Sequence, residues 1–326
     1  MKFTEAQLKQ YAAPLSESEN QKCLNAIEMV CDALKDLGFS HDSTGIRKMY
    51  DDTYAYSLEM KNSIGTRKIR LFIQGSYANN TNVRTESDVD IAVVQEEVFR
   101  TEYRTTASGY PQSDEDYNFC TSTPAEKSFK DEVQECLEKR FGNDVERKNK
   151  SIKIHGNSYR KDADTVPCRR YRDYRKDFSK NPDNYVPGIV IYPDYGSPII
   201  NYPEQHIENG RKKNNDTNHY YKKMVRIIKK MRYLMCDCGY KEAEVVSSFG
   251  LESLLWNLPD SIFKKYTTYR YEFEEIVNYL YQHRDEIISY KEANGIKELC
   301  PSIVDATKYK VFVEKLYSFY EYDIKE

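Results

Sequence analysis

The sequence predicts an α/β (α+β) chain in two parts, with strands and helices in the first two thirds and helices in the last third. Residues 70–73 and 89–94 are short apolar runs with the β-branched and aromatic composition of strands. A helical period begins after residue 217 and continues to the end of the chain. We therefore expect an N-terminal lobe over residues 1–212 and a helical lobe over residues 213–326.

Two helices are predicted before the first strand. Ser16-Glu17-Ser18-Glu19 has the form of a capping box, and apolar residues at helical spacing follow it until Gly38. This helix, residues 16–37, is expected to span both lobes. A second helix is expected over about residues 43–63.

The first strand stops at Gly75-Ser76, and the second strand carries Asp88 and Asp90. Glycine lets the backbone approach another group closely, and serine adds a hydroxyl and an N–H, so the pair suits a terminal phosphate. The two-residue period of a strand places Asp88 and Asp90 on one face. Two buried carboxylates repel each other unless a cation lies between them. The alternative is a pair of strands with two solvated aspartates.

The next region predicts one helix and several short strands. Thr123-Pro124-Ala125-Glu126 has the residues of a helix start, and a buried stripe continues to Phe141. Strands are expected near residues 145–154 and 159–168, and a hairpin near residues 188–201. The second strand carries Asp162 and Asp164 on one face, and either could be the third carboxylate that two-metal phosphoryl chemistry requires.

Basic residues occur in two segments whose function the pattern leaves open. Residues 169–177 alternate arginine and lysine with tyrosine, but the interspersed aspartates favour a solvated face or a pocket rim over nucleic-acid binding. Residues 211–217 are expected to cross into the second lobe. On the following helix, Arg226 and Lys229 are i,i+3 neighbours that can contact one anion, and a solubilising face is equally consistent.

Composition excludes several classes of protein. The net charge of −3 gives no global basic field, so stable binding of nucleic acid is not expected. No apolar run approaches the ~20 residues that span a bilayer, and we expect a cytoplasmic protein that does not bind membranes. The five histidines form no cluster, and His155, His206 and His219 are expected at the surface or in loops.

Gly75-Ser76 after a strand, followed about a dozen residues later by Asp88-x-Asp90 inside a strand, resembles the nucleotidyltransferase superfamily. That superfamily includes DNA polymerase β, poly(A) polymerase, oligoadenylate synthase and cyclic GMP-AMP synthase. The resemblance implies a polymerase-β-like lobe whose small mixed sheet carries all three carboxylates, a helical C-terminal lobe, and nucleotides bound between them. In the branch with the last two enzymes, the third acid opens an Asp-x-(Val/Leu)-Pro segment, to which Asp164-Thr165-Val166-Pro167 is similar.

The resemblance also implies which residues contact nucleotides. Relatives use a lysine on the helix that contains residue 229 and, about twenty residues later, a serine and an aromatic residue. Lys229 and Ser248 would hold the triphosphate, and Phe249, where the group usually has tyrosine, would stack on a base. The expected nucleotide-binding residues are Gly75, Ser76, Arg226, Lys229, Ser247, Ser248 and Phe249.

The segment Tyr202-Pro203-Glu204-Gln205-His206 is similar to the compact bacterial cGAS/DncV-like enzymes of antiphage signalling. This resemblance implies a monomeric enzyme that uses two Mg²⁺ ions, or Mn²⁺, bound by Asp88, Asp90 and Asp164. It would join nucleoside triphosphates into a cyclic di- or trinucleotide second messenger for a downstream effector. The alternatives are an enzyme that makes linear oligonucleotides or transfers a nucleotide to an RNA, protein or small-molecule acceptor, and an inactive nucleotide-binding module.

Overall fold

The computed structural model describes residues 3–40, 45–51, 53–62, 66–83, 88–105, 109–123 and 125–321. The described residues form two compact units. The sheet unit is drawn from Ser16–Gly75 and Asp88–Glu204, and the helical unit from Met1–Leu15, Ser76–Ser87 and Gln205–Glu326. The C-terminal part of the helical unit thus begins at Gln205, and the predicted lobe boundary after residue 212 stays a prediction.

The sheet unit contains a mixed sheet. Its strands are β1 Phe39–Ser40, β2 Arg47–Lys48, β3 Tyr56–Asn62, β4 Lys68–Gln74, β5 Val89–Glu102, β6 Val145–Arg147, β7 Ile152–Ile154, β8 Ala163–Asp173, β9 Val186–Ile191 and β10 Ile199–Asn201. The strand order is β1-β3-β4-β5-β8-β7-β6, and in addition β2 pairs with β3, β9 with β8 and β10 with β9. Strands β5 and β8 are parallel, and the other described pairs are antiparallel.

Most of the described helices belong to the helical unit. The helices are α1 Glu5–Tyr11, α2 Glu17–Leu34, α3 Gly75–Ala78, α4 Phe129–Phe141, α5 Pro203–Asp216, α6 Tyr221–Asp237, α7 Lys241–Glu244, α8 Ser248–Trp256, α9 Tyr269–Gln282 and α10 Ile303–Glu321. Helices α2 and α4 belong to the sheet unit and pack on its strands, whereas α1 and α6 to α10 belong to the helical unit.

The register of three central strands places the predicted acids. Strand β4 is antiparallel to β5, and Gln74 lies opposite Asp90. Strand β5 is parallel to β8, and Asp90 lies opposite Asp164. By strand alternation, these two carboxylates share a face with buried apolar residues further along the same strands. That cluster contains Phe72, Ala92, Val94, Val166, Cys168, Ile189 and Ile191.

The first predicted helix is confirmed and the second is wrong. Helix α2 begins with the capping box of Ser16 and Glu19, and a 3₁₀ turn then ends at Gly38, whose φ is +81°. The described part of residues 43–63 instead contains β2 and β3. The reason is a period of two, because Leu58 and Met60 are buried and Glu59 between them is exposed.

One other predicted boundary is wrong. Helix α4 begins at Phe129 with Ser128 as its N-cap, so Thr123 does not cap it, and Pro124 lies outside the described residues. Helix α5 continues to Asp216 through the predicted crossing at residues 211–217, and the place where the chain crosses between lobes stays a prediction. The strands near 145–154 and 159–168 are confirmed as β6, β7 and β8, and the predicted hairpin is confirmed as β9 and β10.

The helical unit is organised around α6. The predicted apolar stripe of this helix is fully buried, together with side chains from α1, α8, α9 and α10. The stripe consists of Met224, Ile227, Ile228, Met231 and Met235. Among the described residues, no helix combines the length and the apolar character needed to cross a bilayer.

Candidate active site and nucleotide-binding residues

Three predicted catalytic aspartates lie at the starts of two parallel strands in the sheet unit. Asp90 is the second residue of β5 and Asp164 the second residue of β8, and the two are partners in register. Asp88 precedes β5 by one residue, and its negative charge acts on Asp164. The structure therefore places the three predicted acids at the starts of neighbouring strands, and their catalytic role stays a prediction.

Gly75 follows β4 directly and adopts a conformation that requires glycine. Its φ is +70°, a left-handed value that side chains disfavour. A Cβ at this position would lie 3.2 Å from Cγ of Asp90 and closer still to Oδ2. The close approach predicted for this glycine is thus to the Asp90 carboxylate. Substitution would displace one of the predicted catalytic acids.

A lysine on β7, which the sequence analysis did not select, holds two of the acids. Lys153 Nζ lies 2.8 Å from Oδ2 of Asp88 and 2.8 Å from Oδ2 of Asp162. The hydrogen bonds to Asp162 and Asp88 raise the pKa of Lys153, so it stays charged. The positive charge expected beside the acids is therefore supplied, for Asp88, by a side chain of the protein.

Asp164 is the more buried of the two candidates for the third acid. Burial raises the pKa of Asp164, the hydrogen bond from Ser151 Oγ at 3.0 Å lowers it, and the charge of Asp88 raises it again. The net effect is a raised pKa of Asp164, as expected where negative charge accumulates away from water. A divalent cation close to Asp164 would relieve this cost.

Asp162 has a different environment although it is only two residues away. Its Oδ1 accepts the Gly156 N–H at 2.5 Å, and its Oδ2 pairs with Lys153. Burial acts to raise the pKa of Asp162, but these hydrogen bonds lower it overall. These two partners favour a structural role for Asp162 at the β7–β8 turn. The assignment of Asp164 as the third catalytic acid stays a prediction.

The donor set fits a hard divalent cation by its chemistry. Carboxylate oxygens are the protein ligands that Mg²⁺ prefers, and Asp88, Asp90 and Asp164 supply only such atoms. Within the described ranges, however, no three His, Cys, Asp or Glu side chains already converge as a metal site. Lys153 Nζ contacts Asp88 at 2.8 Å, so a cation of the protein already lies beside one of the three acids.

Arg226 and Lys229 are not a solvated basic face, because both are buried in the helical unit. Arg226 donates hydrogen bonds to the carbonyl oxygens of Ala12 and Asn80. Lys229 Nζ lies 2.9 Å from Oε2 of Glu252 and 3.2 Å from Oγ1 of Thr81. The expectation that either residue contacts nucleotide stays a prediction.

The serines and Phe249 lie at the start of α8. Ser247 is the N-cap, and its Oγ accepts the Gly250 N–H at 2.9 Å. Ser248 is the first residue of the helix, and the Phe249 ring is 36% exposed. The ring meets the imidazole of His206 edge-on at 5.1 Å. His206 lies buried in α5, so its expected surface position is wrong.

Sequence reasoning missed Lys153, Thr81, His206 and Glu252, although one signal was present. Glu252 is a charged residue inside the apolar run of α8, and Lys229 interrupts the apolar run of α6 in the same way. Buried charges of opposite sign are most stable when they are paired. The two interruptions together could have predicted this ion pair. No comparable signal points to Lys153.

Two family models match this chain. The model of the cGAS/DncV-like nucleotidyltransferase C-terminal helical domain matches residues 208–321. The model of the nucleotidyltransferase domain matches residues 57–181. The first match covers the described helices from α6 to α10, and the second contains Asp88, Asp90 and Asp164.

Relatives match nearly the whole chain. The chain is 46% identical to the cyclic GMP-AMP synthase CdnE03 of Staphylococcus schleiferi, over 99% of this chain and 98% of that protein. It is 36% identical to the cyclic dipyrimidine nucleotide synthase CdnE of Cecembia lonarensis, over 91% and 90%. The structure of Elizabethkingia meningoseptica CdnE cyclic dinucleotide synthase with GTP and Apcpp matches with a TM-score of 0.71 and 30% identity, over 98% and 100% of the two chains.

A second solved structure is similar at comparable length. Rhodothermus marinus CdnE c-UMP-AMP synthase, with Apcpp and Upnpp, matches with a TM-score of 0.73 and 26% identity over 99% of each chain. The synthases just named have different base combinations in their names. Similarity to this group therefore does not identify the bases used by one chain.

Proposed function

This chain belongs to the cGAS/DncV-like nucleotidyltransferases, and on that premise we propose that it joins nucleoside triphosphates into a cyclic di- or trinucleotide second messenger. It is a nucleotidyltransferase of the cyclic oligonucleotide synthase type. The observation that carries the proposal is the register pairing of Asp90 with Asp164 on parallel strands, with Asp88 two residues before Asp90. Similarity to synthases over nearly the full chain supports it.

The chemistry depends on a divalent cation, which enzymes of this fold use. We assign Mg²⁺, with Mn²⁺ as a substitute, and two ions held by Asp88, Asp90 and Asp164. Bound there, the ions would neutralise the triphosphate and lower the pKa of the attacking hydroxyl. The carboxylates themselves orient the reacting groups, and Gly75 leaves room for the Asp90 carboxylate at the end of β4.

Nucleoside triphosphates are the substrates in this proposal. Ser76, Lys229, Ser247 and Ser248 would hold triphosphate, and the exposed face of Phe249 would stack on a base. The released messenger would act on a downstream effector in antiphage defence. We expect the enzyme to be a cytoplasmic monomer.

The experiment that tests the proposal uses purified protein, Mg²⁺ or Mn²⁺, and the four ribonucleoside triphosphates with no added acceptor. Pyrophosphate release is expected, because each substrate supplies both an electrophilic phosphate and the next hydroxyl. The product should resist phosphatase, since a ring has no terminal phosphate, and mass spectrometry then gives its ring size and bases.

Three other outcomes would each support an alternative. Pyrophosphate release that depends on an added RNA, protein or small molecule would indicate transfer to that acceptor. A phosphatase-sensitive product would indicate a linear oligonucleotide synthase. Tight binding of a non-hydrolysable triphosphate with no pyrophosphate release under any of these conditions would indicate a nucleotide-binding module.

A further inference from the structure

A buried carboxylate connects four segments of the helical unit. The Glu252 side chain is 1% exposed. Its Oε2 accepts hydrogen bonds from Lys229 Nζ at 2.9 Å and from Thr81 Oγ1 at 2.6 Å. Its Oε1 lies 2.8 Å from Nε2 of His206. Burial acts to raise the pKa of Glu252, but Lys229 and His206 hold it well below its usual range, so the group is an anion.

The partners of Glu252 lead to predicted nucleotide-binding residues. Lys229 is itself one of them. Thr81 donates through its N–H to the Ser76 carbonyl oxygen at 2.9 Å, and its hydroxyl lies 3.4 Å from the same oxygen. His206 meets the Phe249 ring edge-on, with an interplanar angle of 90°. One carboxylate is therefore linked to the phosphate-binding serine, the phosphate-binding lysine and the base-stacking ring.

His206 makes two separable contacts that lead toward predicted nucleotide-binding residues. Its Nε2 carries the proton given to Glu252, because an ionised carboxylate only accepts hydrogen bonds, and its Nδ1 lies 3.3 Å from the amide nitrogen of Asn79. The imidazole ring also contacts the Phe249 ring, with the two centroids 5.1 Å apart and an interplanar angle of 90°. The first contact orients a carboxylate, and the second restricts an aromatic ring.

We propose that His206 is a positioning residue of the nucleotide site. Through Nε2 it orients Glu252, and thereby Lys229 and Thr81, for the triphosphate. Through its ring it fixes the plane of Phe249 for the base. The inference rests on the proposed function, because the roles of Lys229 and Phe249 toward nucleotide are part of that proposal. If the buried Lys229–Glu252 ion pair served only stability, charged residues would not be needed at these positions, because apolar residues can often replace a buried ion pair without loss of stability.

Two substitutions separate the contacts. In His206→Gln, the side-chain amide can still donate to Glu252, but no ring contacts Phe249. In His206→Phe, a ring remains beside Phe249, but Glu252 loses one of its three side-chain donors. Dissociation constants are measured in Mg²⁺ for two probes, a non-hydrolysable nucleoside triphosphate and inorganic tripolyphosphate, which has no base.

The expected results differ between the probes. His206→Gln should weaken the nucleotide analogue about five- to tenfold, the size of a stacking contact, and leave tripolyphosphate within about twofold. His206→Phe should weaken both probes by a similar factor of about three or more, because it disturbs the phosphate-binding side chains. The proposal is overturned if both variants lower the melting temperature while both dissociation constants stay within about twofold of wild type.

The matched control is His283→Gln in the same unit. His283 also contacts a glutamate, Glu286 at 2.8 Å, and stacks on the Tyr279 ring at 4.1 Å, but it is only partly buried. Neither dissociation constant should change in this variant. A change equal to that of His206→Gln would attribute the effect to general loosening of the unit and overturn the proposal.

A double-mutant cycle provides a test that does not depend on the stability of the His206 variants alone. Phe249 is partly exposed, so Phe249→Ala is expected to fold. If His206 acts on the base through this ring, adding His206→Gln to Phe249→Ala should weaken the analogue no further than about twofold. Fully additive losses would overturn the proposed link.

Failure of the proposed function can be distinguished from failure of the proposal for His206. Wild-type protein that binds the analogue but makes no cyclic product would overturn the synthase assignment and leave the comparison of dissociation constants valid. Wild-type protein that binds neither probe would overturn both.

Discussion

Asp164→Asn, with Asp162→Asn as its matched control, tests which acid at the start of β8 takes part in the reaction. Both changes remove one negative charge from neighbouring positions of one face, so they differ in environment only. Asp164 is the more buried residue and lies opposite Asp90, and the negative charge of Asp88 raises its pKa. Asp162 is paired with Lys153 and the Gly156 N–H.

The expected magnitudes follow from those contacts. In Asp164→Asn, the amide oxygen can still accept the Ser151 hydroxyl, so the fold should persist. Turnover should fall by about 10²- to 10⁴-fold, the usual cost of removing a group that acts mainly in the transition state. In Asp162→Asn, loss of a partly exposed ion pair should cost about 0 to 1 kcal/mol of the free energy of unfolding and leave kcat within about threefold.

Initial rates of pyrophosphate release give kcat and KM, and thermal melting with and without Mg²⁺ gives a second readout. A cation at about ten times its Kd stabilises the folded state by about 1.4 kcal/mol, and Asp164→Asn should reduce this gain. Asp162→Asn should preserve it. If Asp162→Asn removes turnover while Asp164→Asn leaves it intact, the assignment of the third acid is refuted.

Two further predictions concern charge. Asp88→Asn combined with Asp90→Asn should abolish pyrophosphate release while the melting temperature without metal holds or rises, since mutual repulsion disappears; unchanged turnover would contradict the metal assignment. Glu272 is buried, and burial raises its pKa to about 7. Between pH 4.5 and 7 the folded state therefore keeps a proton that the unfolded chain has lost, and the free energy of unfolding falls as the pH rises through this range. In denaturant titrations, Glu272→Gln should therefore have the same free energy of unfolding as wild type below pH 4.5 and a higher one, by up to about 3 kcal/mol, above pH 7. Equal free energies of unfolding at pH 8 would contradict this prediction.

Local patterns were sufficient to predict the strands that hold the predicted catalytic acids. Leu71, Phe72 and Ile73 have strand composition, and Gly75 ends that strand because its φ is positive. The helix predicted over about residues 43–63 is wrong, because the strands in this region are too short to show a clear two-residue alternation. Only β3 is long enough to show the alternation of Leu58 and Met60.

Contacts between distant residues could not be predicted in the same way. Lys153 and Asp88 are 65 residues apart, and they meet because β7 pairs with β8 and β8 with β5. That pairing is set by the whole sheet, and no local period encodes it. His206 was expected near the surface, because polarity alone does not show that a buried carboxylate receives its Nε2–H.

The charges in the sheet unit suggest how substrate would approach. Asp88, Asp90, Asp162 and Asp164 cluster with Lys153 as the basic partner of two of them. A free triphosphate would add further negative charge to this cluster and be repelled. A triphosphate that arrives with its divalent cation brings positive charge to the carboxylates. On the proposed function, a substrate bound as its metal complex would therefore balance the charge of the acids and of the phosphates together, which Lys153 alone cannot do.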